Sequence, residues 1–192
     1  SIPFQFSLHI VETPESTPLH HSFLADGKSD PRKELSDALR EKFGFTLYDD
    51  GSSFKGSVIV YNESVERSIL KGLATFDPDN EGWIFRISSR IVDLFYPFKN
   101  FYFYSVIQKG SASVKKVLPA LTEKSYAEMA INNGDIASIT FLSGSALWEE
   151  FIAKNNLETT DGKDNFHYNA CSNPGDDRLK QKIRENLEQY CK

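Results

Sequence analysis

Phe4, Phe6, Leu8 and Ile10 alternate with Gln5, Ser7 and His9, the period of two that a strand shows when one face is buried. Thr13-Pro14-Glu15-Ser16-Thr17-Pro18 turns the chain and His20 to Ala25 returns, so the opening predicts a hairpin. Asp30 and Pro31 then read as N-cap and first helical residue, with Leu35, Ala38, Leu39 and Phe43 as the apolar stripe and Gly44 as the stop. After turn-rich Tyr48 to Ser53, the run Ser57-Val58-Ile59-Val60-Tyr61 has no polar alternation, the pattern of a strand covered on both faces. Asn62 is placed to cap the next helix, whose apolar positions are Val65, Ile69, Leu70 and Leu73.

Phe76 to Asn80 reads as a loop. Trp83, Ile87 and Ile91 have helical spacing, yet Ile91-Val92-Asp93-Leu94 equally fits a short strand, and periodicity does not separate the two. Phe95 to Tyr104 is crowded with aromatics and broken by Pro97, after which Ser113 caps a helix through Val114, Val117, Leu118 and Leu121. Gly134 precedes a helix with Ile136, Ile139, Leu147 and Phe151 expected inward. Residues 155–176 are rich in Asn, Asp, Gly and Thr and read as an exposed loop; a last helix from Asp177 carries Leu179, Ile183, Leu187 and Tyr190 on one face. No repeat or domain boundary stands out, so one α/β domain over 1–192 is expected.

Composition narrows the classes. With 40% hydrophobic and 26% charged residues the chain has an ordinary globular balance. A net charge of -5 excludes a broad basic clamp on nucleic acid, leaving room only for local patches. Two cysteines, Cys171 and Cys191, make no disulfide framework, which points to a reducing, cytoplasmic setting. His9, His20, His21 and His167 show no metal-ligand spacing, and no segment reads as a signal peptide or membrane span. The only methionine is Met129, and the last helix reaches Lys192 without a stop signal; both favour a domain excised from a longer protein.

The segment richest in chemistry is Tyr61-Asn62-Glu63-Ser64-Val65-Glu66, where a strand delivers an Asn at its end and a carboxylate one helical turn later. This layout resembles the second motif of DEDD-type 3'-5' exonucleases, with Glu66 where Asp is usual. Ile91-Val92-Asp93-Leu94 resembles that family's hydrophobic-hydrophobic-Asp-Thr segment, with Leu94 in place of Thr. Gly110-Ser111-Ala112-Ser113-Val114-Lys115-Lys116-Val117-Leu118 is similar to the start of one of its helices. Tyr61-Asn62-x-x-Val65-Glu66, Val92-Asp93-Leu94 and Lys115-Lys116-Val117-Leu118-Pro119-Ala120-Leu121, in this order, resemble a bacterial domain family of unknown function with exonuclease-like features. The likeness spans nearly the whole chain.

The resemblance implies a ribonuclease H-like fold, a mixed central sheet flanked by helices, and a hydrolase that cleaves DNA or RNA with Mg²⁺ or Mn²⁺. It makes Glu66 a metal ligand, Tyr190 the residue that orients the attacking water and Asn62 a brace for the strand end or the substrate; Lys115 and Lys116, by their charge, are the candidate contacts for phosphates. The family's Asp-x-Glu motif would precede Ile2, and the Asp partnering Tyr190 would lie beyond Lys192. Residues 1–192 alone are therefore expected to be inactive, with other domains of the longer protein as partners and no membrane contact. The alternative is an inactive nuclease-fold module that binds nucleic acid or a protein.

Each residue also has a plain role. Asn62 and a first-turn acid favour a helix start in any protein. Asp93 is expected to bond a nearby backbone amide or to pair with Arg86 or Arg90. Tyr190 is a core aromatic by position, exposed lysines are ordinarily solvated, and the Phe95 to Tyr104 aromatics build core more often than they stack bases.

Overall fold

The computed structural model describes residues 2–44, 56–127, 129, 131–132, 134–143 and 177–190. The turn at 48–53, the loop at 155–176, both cysteines, Leu147 and Phe151 lie outside them. The protein is α/β, with helices and small sheets. It divides into two compact units, one built from residues 1–2 and 32–127, the other from 3–31 and 128–192.

The second unit begins with the predicted hairpin. Strands β1 (Gln5–Ile10) and β2 (Leu19–Leu24) pair antiparallel, with Gln5 opposite Leu24 and Ile10 opposite Leu19. Helices α6 (Gly134–Ser143) and α7 (Asp177–Tyr190) complete the unit. Its core gathers Ala25, Ile131, Ala137, Phe141, Ile183 and Leu187, with Phe4 stacked on Phe141 at 4.3 Å. The inward face of α6 is set by Ala137, Thr140 and Phe141, while Ile139, expected inside, is exposed. The spacing of the residues that pack, 137, 140 and 141, is one helical stripe, and Ile139 lies off it.

The first unit holds α1 (Arg32–Lys42), β3 (Val58–Val60), α2 (Glu63–Phe76), α3 (Glu81–Ser88), β4 (Ile91–Asp93), α4 (Phe95–Lys99) and α5 (Val114–Leu121), with short 3₁₀ turns at Pro78–Asn80 and Val106–Gln108. Helix α1 stops where expected: Gly44, at φ 77°, donates its N–H to the Glu41 carbonyl at 2.9 Å. The ambiguous Ile91–Asp93 segment is a strand. It runs parallel to β3 with Val58 beside Ile91 and Val60 beside Asp93, and α2 and α3 form the crossover. The core is Leu35, Leu70, Leu73, Trp83, Ile84, Ile87 and Val117. Burial of each large aliphatic side chain contributes about 1.5–3 kcal/mol.

Two expectations need correction. The strand through residues 57–61 is not covered on both faces: Ile59 is 56% exposed and Val92 beside it is exposed too. Val65 is also exposed, leaving Leu70 and Leu73 as the buried stripe of α2. The strands among the described residues pair in two two-stranded sheets, one antiparallel and one parallel.

Candidate functional site

Parallel strands joined by a helical crossover present their carboxyl ends at one rim, the usual place for ligands in open α/β sheets. Here β3 ends in Val60 and β4 in Asp93, side by side. Asn62 was expected to cap α2, but its backbone is left-handed at φ 72°, ψ 71°, and its side chain makes no capping bond. It accepts instead from the Ser64 hydroxyl at 2.8 Å. Asp93 does the capping from across the rim. One of its carboxylate oxygens accepts from the backbone N–H of Asn62 at 2.9 Å and of Phe95 at 2.9 Å, the other from Glu63 N–H at 3.1 Å. Asp93 thus bonds backbone amides, one of its two plain roles. Burial alone would raise its pKa, but the amides of Phe95, Glu63 and Asn62 together hold it below the ordinary value.

Glu66 sits one turn into α2, half-buried. Its Oε2 is enclosed and has no hydrogen-bond partner among the described residues. Burial pushes its pKa up and the negative Asp93 adds to the rise, against a smaller lowering by its own backbone N–H. Ser36 Oγ, Asn80 Nδ2 and Arg86 Nη1 are also buried and unpartnered. Of the four atoms, only the Glu66 oxygen is a hard anionic donor of the kind that Mg²⁺ or Mn²⁺ prefers.

Tyr61 closes the side of the rim. Its hydroxyl donates to the Ala112 carbonyl, just before α5, and its ring meets Phe95 edge-on at 5.8 Å and Phe98 at 6.2 Å. Burial, then Asp93, raises its pKa. Lys115 and Lys116 lie in the first turn of α5, both exposed. Tyr190 ends α7 in the other unit, and its side chain lies outside the described ones.

The structure therefore brings together Asn62, Glu66 and Asp93, and through Tyr61 and Ala112 the start of the helix that carries Lys115 and Lys116. For a divalent ion the fit is partial. Glu66 offers a free oxygen, both oxygens of Asp93 are held by amides, and no group of three His, Cys, Asp or Glu that could hold a metal occurs among the described residues. Sequence reasoning missed Tyr61, whose aromatic and hydroxyl contacts tie the rim to α5. Its signal was position: the last residue of an apolar run, directly before the Asn.

A parallel strand pair with a helical crossover and a half-buried acid one turn beyond its carboxyl rim defines the class: an α/β domain. The model of a family described as Domain of unknown function (DUF2779) matches residues 1–113, and the chain belongs to that family. The match takes in Asn62, Glu66 and Asp93 and ends before Lys115. No curated protein and no solved structure matches the chain. No helix among the described residues is long and apolar enough to cross a membrane.

Proposed function

We propose that this chain is a DEDD-type 3'-5' exonuclease-like domain of ribonuclease H-like fold, in which Glu66 is one ligand of a divalent cation. The observation that carries the reading is the enclosed, unpartnered Oε2 of Glu66 at the carboxyl rim of β3 and β4. A buried carboxylate oxygen left without a donor is costly unless something positive meets it. Asp93 fixes the first turn of α2 and so aims Glu66, and Asn62 lines the same rim. In this reading Lys115 and Lys116, at the start of the helix that Tyr61 ties to the rim, meet substrate phosphates. The bound ion would supply charge stabilisation at the phosphate and an activated water. The rival, a nuclease-fold module without catalysis, draws on the lack of a three-ligand cluster among the described residues.

Mn²⁺ titration of residues 1–192, followed by electron paramagnetic resonance, tests the proposal. Weak binding that disappears in Glu66→Gln is expected, with no hydrolysis of a labelled oligonucleotide. Equal Mn²⁺ binding by both proteins would remove Glu66 from the ligand set. Robust exonuclease activity of residues 1–192, unchanged in Glu66→Ala, would refute the assignment of Glu66.

A further inference from the structure

Directly after Asp93 the chain becomes basic and aromatic. From Leu94 to Thr122 there are four lysines, Lys99, Lys109, Lys115 and Lys116, and no Asp or Glu, a formal +4 in a chain of net -5. All four lysines are exposed, and none has an ion-pair partner among the described residues. The same stretch leaves large apolar groups in solvent: Tyr102 is 82% exposed, Val106 81% and Phe101 64%, and Tyr96, Tyr104 and Ile107 are exposed as well. A cluster of this kind on a protein surface marks a contact site.

These rings are held, not loose. Tyr102 and Phe103 both donate backbone N–H groups to the Pro97 carbonyl, at 2.9 and 3.3 Å, and Asn100 donates to Tyr96 at 3.0 Å. Phe101 turns the chain with a φ of 57°, a conformation that a bulky residue rarely adopts. Ring contacts brace the segment: Phe98 packs edge-on against the half-exposed Phe103 at 5.7 Å and tilts against Tyr61 at 6.2 Å. Buried Gln108 fixes the next turn, its Oε1 accepting from Ser105 N–H at 2.8 Å, and α5 packs on that turn. An ordered backbone thus presents outward rings between lysines, beginning at the rim that carries Glu66.

We infer that residues 96–116 form a platform for a single-stranded polynucleotide, with Tyr102 and Phe101 stacking on bases and Lys99, Lys109, Lys115 and Lys116 meeting phosphates. Charge selects this occupant: a polyanion complements the only long acid-free stretch around the rings, and exposed rings have an unpaired base face to stack on only in a single strand. The inference deepens the nuclease reading by naming the form of its substrate, and it requires no metal.

The test is fluorescence anisotropy of labelled twelve-nucleotide dT, rU and duplex probes with residues 1–192 in EDTA. Salt-sensitive binding of the single strands, weaker for the duplex, is expected. Tyr102→Ala should weaken it roughly tenfold, with Tyr102→Trp restoring it. Lys115→Glu with Lys116→Glu should weaken it at least as much and flatten the salt dependence. Circular dichroism confirms that each variant is folded. No single-strand binding, equal duplex binding, or unchanged binding by Tyr102→Ala overturns the platform, as does self-association lost in Tyr102→Ala without oligonucleotide binding. Because the assay excludes metal, a negative result leaves the Mn²⁺ test of Glu66 standing, and failure of that test leaves the platform standing.

Discussion

The hairpin unit and the unit holding β3 and β4 treat their polar groups differently. In the hairpin unit they bond backbone that needs them: Gln5 donates to the Leu187 carbonyl at 2.7 Å, and Arg184 donates to Ala25 and Leu24 carbonyls at 2.9 and 3.2 Å. The Ser7 hydroxyl meets His20, and His20 stacks on His9 at 4.5 Å. In the other unit all four buried, unpartnered polar atoms of the described residues occur, Glu66 Oε2 among them. It also carries the exposed aromatic stretch. Polar groups that close backbone valences hold a fold together. Ones left open at a strand rim are a cost that selection tolerates where a ligand meets them.

The cores themselves should behave alike, and this sets the scale. Leu187→Ala in the hairpin unit and Leu73→Ala in the other, both about 1% exposed, should each cost about 2–5 kcal/mol in urea unfolding. A much smaller loss for either would mean that its unit is not a closed core. Next comes Asp93→Ala, which removes the cap of α2 and should cost about 1–2 kcal/mol. The wild-type contribution of Asp93, whose pKa is lowered by folding, is present above its unfolded value and lost as pH falls through the folded one. Stability curves of the two proteins should therefore converge in acid.

Glu66→Gln should give the smallest change, of opposite sign. Its folded pKa is raised, so the wild-type carboxyl favours the folded state only when protonated. That contribution is complete below the unfolded value of about 4.3 and is lost as pH rises through the folded one. The glutamine variant should thus gain on the wild type from about pH 4 upward and hold a constant lead at neutral pH. A lead that shrinks with rising pH would show that Glu66 is charged and satisfied in the folded protein, erasing the contrast between the units.

How far the sequence foretold this depends on the range of each signal. The β1–β2 hairpin, the Gly44 stop and the Glu66 position were legible because period, glycine and turn chemistry act within a few residues. The strand at Ile91–Asp93 was not, since Trp83, Ile87 and Ile91 share a helical spacing that only pairing with Val58 to Val60 resolves. Asn62 misled for the same reason. Its type fits a cap, but the donor groups of α2 are met by Asp93, thirty-one residues away, and no local pattern announces such a partner. The aromatic run gave no sign of which rings face out, because that depends on how Pro97 accepts the backbone of Tyr102 and Phe103.

The shared carboxylate at the rim also constrains the order of assembly. One side chain at the end of the second parallel strand satisfies the first turn of the preceding crossover helix and the start of α4. The crossover helix therefore has its terminus satisfied only where the second strand is docked, which couples strand pairing, the start of that helix and the ensuing aromatic bend to one another.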